Sequence, residues 1–86
     1  MIFRVEVSKR VEKFLLNLRD VALKRRLVSS MRTLADDPRP PGCIKLSGSK
    51  DIYRVRVGDY RILYQVRNSE ILVVVLEIGN RREIYR

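Results

Sequence analysis

From Ala35 to Cys43 the chain reads ADDPRPPGC and holds all three of its prolines, and the hydrophobic period differs on the two sides of that stretch. Before it, Val11, Phe14, Leu15 and Leu18 fall at i, i+3, i+4 and i+7, one stripe of an amphipathic helix that Ser8 can cap. Asp20 can cap a second helix, in which Leu23, Leu27, Val28, Met31, Leu34 and Ala35 keep helical spacing until Asp36, Asp37 and Pro38 end it. After it the period becomes two. Ile52 to Val57, Tyr60 to Val66 and Ile71 to Ile78 read as consecutive strands, the last so apolar that burial on both faces is expected. Ile2 to Val7 alternates as well and supplies a first strand. Too little chain lies on either side of the prolines for two domains, so they form a rigid connector inside one domain, residues 1–86. The expected fold is α+β: an N-terminal strand, a two-helix hairpin, then a three- to four-stranded antiparallel meander.

Composition excludes much chemistry. With no histidine among 86 residues there is no serine or cysteine triad of the usual kind, no HExxH-type metal site and no imidazole proton shuttle. The single cysteine, Cys43, allows neither an internal disulfide nor a CxxC pair and reads as a small filler beside the proline turn. No metal or cofactor is expected. The formal charge is +9, and 14 of the 19 basic residues are arginine, whose planar fork grips phosphate through two parallel hydrogen bonds. Residues 1–37 carry +4 and residues 38–86 carry +5, so the excess belongs to the folded domain and points to a polyanionic partner. Lys24, Arg25, Arg26 and Arg32 read as solvated helix surface rather than a dedicated nucleic-acid contact. The longest uncharged run, Ile71 to Leu76, is far too short to span a bilayer, and Arg4 and Glu6 interrupt any signal-like start. No membrane association and a cytoplasmic location are expected.

Register arithmetic localises the charge. A two-residue turn at Gly58-Asp59, with glycine supplying positive φ, sets Val57 opposite Tyr60, Arg56 opposite Arg61, Val55 opposite Ile62, Arg54 opposite Leu63 and Tyr53 opposite Tyr64. Cross-strand partners share a face, so Arg54, Arg56 and Arg61 emerge on one side while Tyr53, Val55, Val57, Tyr60, Ile62 and Tyr64 occupy the other. Arginines directly opposite one another cost a few tenths to about 1 kcal/mol, which favours a phosphate site over a merely solvated face. Extending the meander through Arg67 to Glu70 pairs Val66 with Ile71, setting Leu76 beside Arg61 and Glu77 beside Tyr60 on the face away from the cluster. Arg81, just past the last strand, is expected to meet Arg61 at one end of the sheet, with Tyr85 within reach.

The runs KLSG (Lys45 to Gly48), YRVRVGDYRILYQV (Tyr53 to Val66) and VLEIGNRREIYR at the C-terminus, with the helical hairpin ahead of them, resemble the RelE group of the RelE/ParE toxin superfamily. The resemblance implies a RelE-like fold and a toxin of a type II toxin-antitoxin system. It implies a ribosome-dependent endoribonuclease that cuts mRNA in the ribosomal A site by attack of a ribose 2′-OH on the adjacent phosphate. It assigns Arg54 and Arg56 to two basic strand positions often held by lysine, Arg61 and Arg81 to phosphate binding, and Tyr85 to orienting or stacking on a base. Lys45 and Arg82 are implied as further substrate-binding residues. Arginine stays protonated, so Arg54 and Arg56 cannot act as general bases where a lysine could.

The implied partners are the ribosome with its mRNA and a cognate antitoxin, RelB-like or of another class, in a hetero-oligomeric complex. Two other readings stay open: a ParE-like inhibitor of DNA gyrase, which would lack the set Arg61, Arg81 and Tyr85, and a non-catalytic module that binds nucleic acid or antitoxin.

Overall fold

The computed structural model describes residues 2–80. Strand β1 (Arg4–Val7) leads into helix α1 (Lys9–Asn17), then helix α2 (Val21–Asp36), the two-residue strand β2 (Ile44–Lys45), β3 (Ile52–Val57), β4 (Tyr60–Arg67), a 3₁₀ turn at Asn68–Glu70, and β5 (Leu72–Asn80). Both helices start where capping side chains stand. Ser8 Oγ accepts from the Val11 amide at 3.2 Å and Asp20 Oδ1 from the Leu23 amide at 3.0 Å, each satisfying an amide that the helix itself leaves unbonded. No helix among the described residues is long and apolar enough to cross a membrane.

The sheet has five strands in the order β1-β5-β4-β3-β2. The expected meander is present as β3, β4 and β5, but the sheet is larger and mixed: β1 pairs with β5 in parallel, and β2 adds a short antiparallel edge to β3. A two-residue strand is too short to show periodicity, which is why β2 was absent from the sequence reading. Central placement accounts for the apolar last strand. With β1 on one side and β4 on the other, none of its nine residues is exposed.

The helices cover one face only. Val11, Leu27, Met31 and Leu34 from α1 and α2 pack with Val57, Ile62, Tyr64, Val66, Val73, Val75 and Ile78 from the sheet. At β4 and β5 these sheet residues are the ones the register places on a single side. The proline connector is fastened to that side. Tyr64, fully buried, donates from its hydroxyl to the Pro38 carbonyl at 2.8 Å and stacks on Tyr53, and Arg39 Nε donates to the Tyr53 hydroxyl at 2.9 Å while its guanidinium lies over the ring.

Candidate functional site

The face left by the helices carries the arginines. The β3–β4 register has Arg56 opposite Arg61, Arg54 opposite Leu63 and Val57 opposite Tyr60, as the two-residue turn required. Gly58 adopts φ of +60° there and Asp59 does not, the φ pattern of a type II′ turn. Around this hairpin, exposure is graded: Arg56 is exposed, Arg54 half-buried, and Arg61 only 9% exposed. Opposite Arg61 on β5 is Gly79, which offers no side chain to cover it. Arg56 Nε donates to the Gly58 carbonyl at 2.9 Å, which holds that side chain toward the turn.

The β4–β5 register corrects the sequence reading. Ile71 closes the 3₁₀ turn in the left-handed region (φ 51°), so β5 begins at Leu72, opposite Arg67. That displacement of two residues preserves the faces. A β-bulge then breaks the pairing between Leu63, opposite Glu77, and Tyr64, opposite Val75, so Leu76 has no partner and everything beyond it changes face. Glu77 therefore lies across from Leu63, on the side of Arg54, Arg56 and Arg61, instead of beside Tyr60. Gly79, instead of Leu76, lies beside Arg61. The Glu77 carboxylate is not idle: Arg10 Nη1, from the first turn of α1, meets it at 2.6 Å. The bulge is itself anchored, because the Ser8 hydroxyl that caps α1 donates to the Leu76 carbonyl at 2.9 Å.

Other sequence candidates separate. Lys45 is exposed on β2 opposite Tyr53, a residue of the helix-covered face, so it stands at the sheet edge away from the arginine cluster. Arg81, Arg82 and Tyr85 lie outside the described residues; the last described residue, Asn80, pairs with Tyr60 at the Gly58 end of the sheet. Arg26 gains a place the sequence reading did not give it. Its guanidinium lies against Gly58, where a Cβ would sit 3.2 Å from Arg26 Nη2. The i, i+4 spacing of Arg25 with Ser29 and Arg26 with Ser30 is the signal in the sequence that groups these residues on one side of α2.

A cationic sheet face of this kind can bind phosphate and stabilise charge that builds on it, using guanidiniums that stay protonated. Among known proteins, the family model for the ParE toxin of the type II toxin-antitoxin system parDE matches residues 5–85. A Methanocaldococcus jannaschii protein assigned as toxin RelE1 is 32% identical over 88 residues, covering 100% of this chain and 98% of that one. The crystal structure of an archaeal RelE–RelB complex from Pyrococcus horikoshii contains a chain 34% identical to this one, with a TM-score of 0.82 over 96% of this chain and 99% of that chain. A doubly arginine-substituted variant of E. coli toxin RelE, solved in the free state, also gives a TM-score of 0.82, over 98% of this chain and 88% of that one. Its 23% identity makes that a likeness of fold.

Proposed function

The chain belongs to the RelE/ParE toxin superfamily as a RelE-type toxin, and on that premise we propose that it is a ribosome-dependent endoribonuclease that cleaves mRNA in the A site and so inhibits translation. The observation that carries this reading is the hairpin: Arg54, Arg56 and Arg61 on the sheet face opposite α1 and α2, with Arg56 and Arg61 directly opposite one another. In the proposed reaction the ribose 2′-oxygen attacks the adjacent phosphorus and loses its proton. The bond to the 5′-oxygen breaks, and the products are a 2′,3′-cyclic phosphate and a 5′-hydroxyl. Negative charge rises on the phosphoryl oxygens as the five-coordinate species forms. Fixed guanidiniums favour it, while in-line positioning by the same forks supplies the rest without a metal.

Arg61, held down in the sheet face with Gly79 opposite, is assigned the phosphate grip, joined by Arg81; Arg54 and Arg56 add charge. None of the four can accept the 2′-proton. Tyr85, water or a ribosomal group takes it, and Tyr85 orients the base. Glu77 shares the face but is held by Arg10, so its carboxylate is already committed. Lys45 and Arg82 are given contacts with RNA outside the reacting centre. A cognate antitoxin, in a hetero-oligomeric complex such as the Pyrococcus horikoshii relative forms, keeps the toxin off the ribosome in the cytoplasm, and an acidic segment complements the +9 charge. The test is primer extension on mRNA translated in a purified system with wild type, Arg61→Ala and Arg81→Ala. Cuts within codons that need ribosomes and vanish in both variants are expected; equal cleavage of free RNA removes the ribosome requirement.

The matching family model is described as a ParE toxin, which favours one second reading, the ParE-like inhibition of DNA gyrase that the resemblance left open. Gyrase-dependent DNA cleavage with translation untouched would establish it in place of the first.

A further inference from the structure

Between α2 and the β3–β4 turn runs an open groove of about 560 Å³ lined by Arg25, Arg26, Ser29, Ser30, Arg56, Val57 and Gly58. Every polar side chain lining it is a hydrogen-bond donor, three guanidiniums and two hydroxyls, and the lining holds no carboxylate, although Arg26, Arg56 and Gly58 also border the groove next to it. A neighbouring groove around the same turn contains Asp20 and Asp59 and lacks that character. Among the described residues none of Arg25, Arg26 and Arg56 lies in an ion pair, and all three are exposed. Gly58 shapes the groove. Its missing side chain lets the Arg26 guanidinium lie against the turn, and its carbonyl holds Arg56 Nε.

We propose that this groove is a second RNA-binding site, which takes a phosphodiester backbone segment outside the reacting centre and fixes the toxin's orientation on its substrate. The occupant follows from the lining. Protein partners are anchored by aromatic or arginine side chains in well-packed, desolvated pockets, and here the lining holds no aromatic residue, its three arginines are exposed, and its one large apolar residue is Val57, 8% exposed. Three guanidiniums with two hydroxyls suit phosphate oxygens instead. Continuity supports the same choice: Arg56 belongs both to this groove and to the sheet-face cluster, opposite Arg61, so one strand of cations passes from the face around the turn onto α2. Arg25 and Arg26 thus leave the class of solvated helix surface in which their sequence placed them. The occupant's identity as RNA rests on the endoribonuclease reading, while the site's preference for an anion does not.

The test compares Arg25→Gln/Arg26→Gln with Lys13→Gln/Arg32→Gln, which removes equal charge from elsewhere on the helices. The readout is anisotropy of a labelled 20-nucleotide single-stranded RNA across a salt series. The groove variant is expected to bind about tenfold more weakly, with its salt slope reduced by about 1.4 for two lost phosphate contacts, and the control by less than twofold. Ser29→Glu, which places a carboxylate in the groove, should reproduce the loss without removing a cation. Equal effects of the two double variants would overturn the proposal, as would displacement of the RNA from wild type, but not from the groove variant, by polyglutamate at equal charge concentration. Cleavage on programmed ribosomes separates the two readings. Groove-dependent RNA binding with no cutting leaves this site standing and removes the nuclease, whereas normal cutting with an indifferent groove does the reverse.

Discussion

Two polar side chains of β4, three residues apart, are drawn into the sheet from opposite faces for opposite reasons. Arg61 is sunk into the face away from the helices at 9% exposure, where the low local dielectric would strengthen its pull on a phosphate in the proposed reaction. Tyr64 is fully buried under the helices, where burial, with Cys43 adding to it, pushes its hydroxyl well above the usual tyrosine pKa of 10.0. A proton held more tightly in the folded state stabilises it at every pH below about 10. Above that, the unfolded tyrosine ionises first and the contribution is lost as pH rises. Tyr64→Phe gives up the bond to the Pro38 carbonyl and should lose about 1–3 kcal/mol at pH 7. It should also lose less than wild type as pH climbs from 9 to 11. Urea midpoints over that range check it, and a gap between the two proteins that does not narrow would remove Tyr64 as the source.

At the scale of elements, Ser8 joins α1 to β5 through three bonds: it caps α1, its amide bonds the Val75 carbonyl, and its hydroxyl takes the Leu76 carbonyl at the bulge. Ser8→Ala should cost about 1–2 kcal/mol, and Ser8→Thr, which keeps both hydroxyl bonds, much less; chemical denaturation of the two variants measures the difference. This same junction marks the boundary of what the sequence disclosed. The helices, their caps Ser8 and Asp20, and the whole β3–β4 register were legible, because each rests on neighbours a few residues apart: alternation, a Gly-Asp turn, a hydroxyl before a stripe. Glu77 was misplaced because its face is decided by a bulge whose anchor is 68 residues away; Ile71, in a backbone region that a β-branched residue seldom enters, moves the register by two and leaves the face unchanged. β2 pairs by proximity alone. Arg26 meets Gly58 only through the packing of α2 on the sheet, which no local pattern announces.

For the whole molecule, layering decides how its charge is used. With α1 and α2 on one side, the cations of β3 and β4 on the sheet face lie on the other, and those of α2 meet them at the turn. Arg25, Arg26, Arg54, Arg56 and Arg61 together would neutralise about five phosphates, so log(kcat/KM) for cleavage on programmed ribosomes should fall against log[KCl] with a slope of about −3 to −4. A slope shallower than −1 would show that charge does not drive engagement. The sheet also has an order of assembly. β1 pairs in parallel with β5, residues 4–7 against 72–75, so the first strand to be synthesised waits for the last, and Gly79 reaches its place beside Arg61 only then. A chain still being elongated before Gly79 lacks the strand that joins β1 to the rest of its sheet, and its arginine face is incomplete until β5 has been made. If the proposed activity holds, the ribosome that translates this protein is shielded from it until β5 has been made.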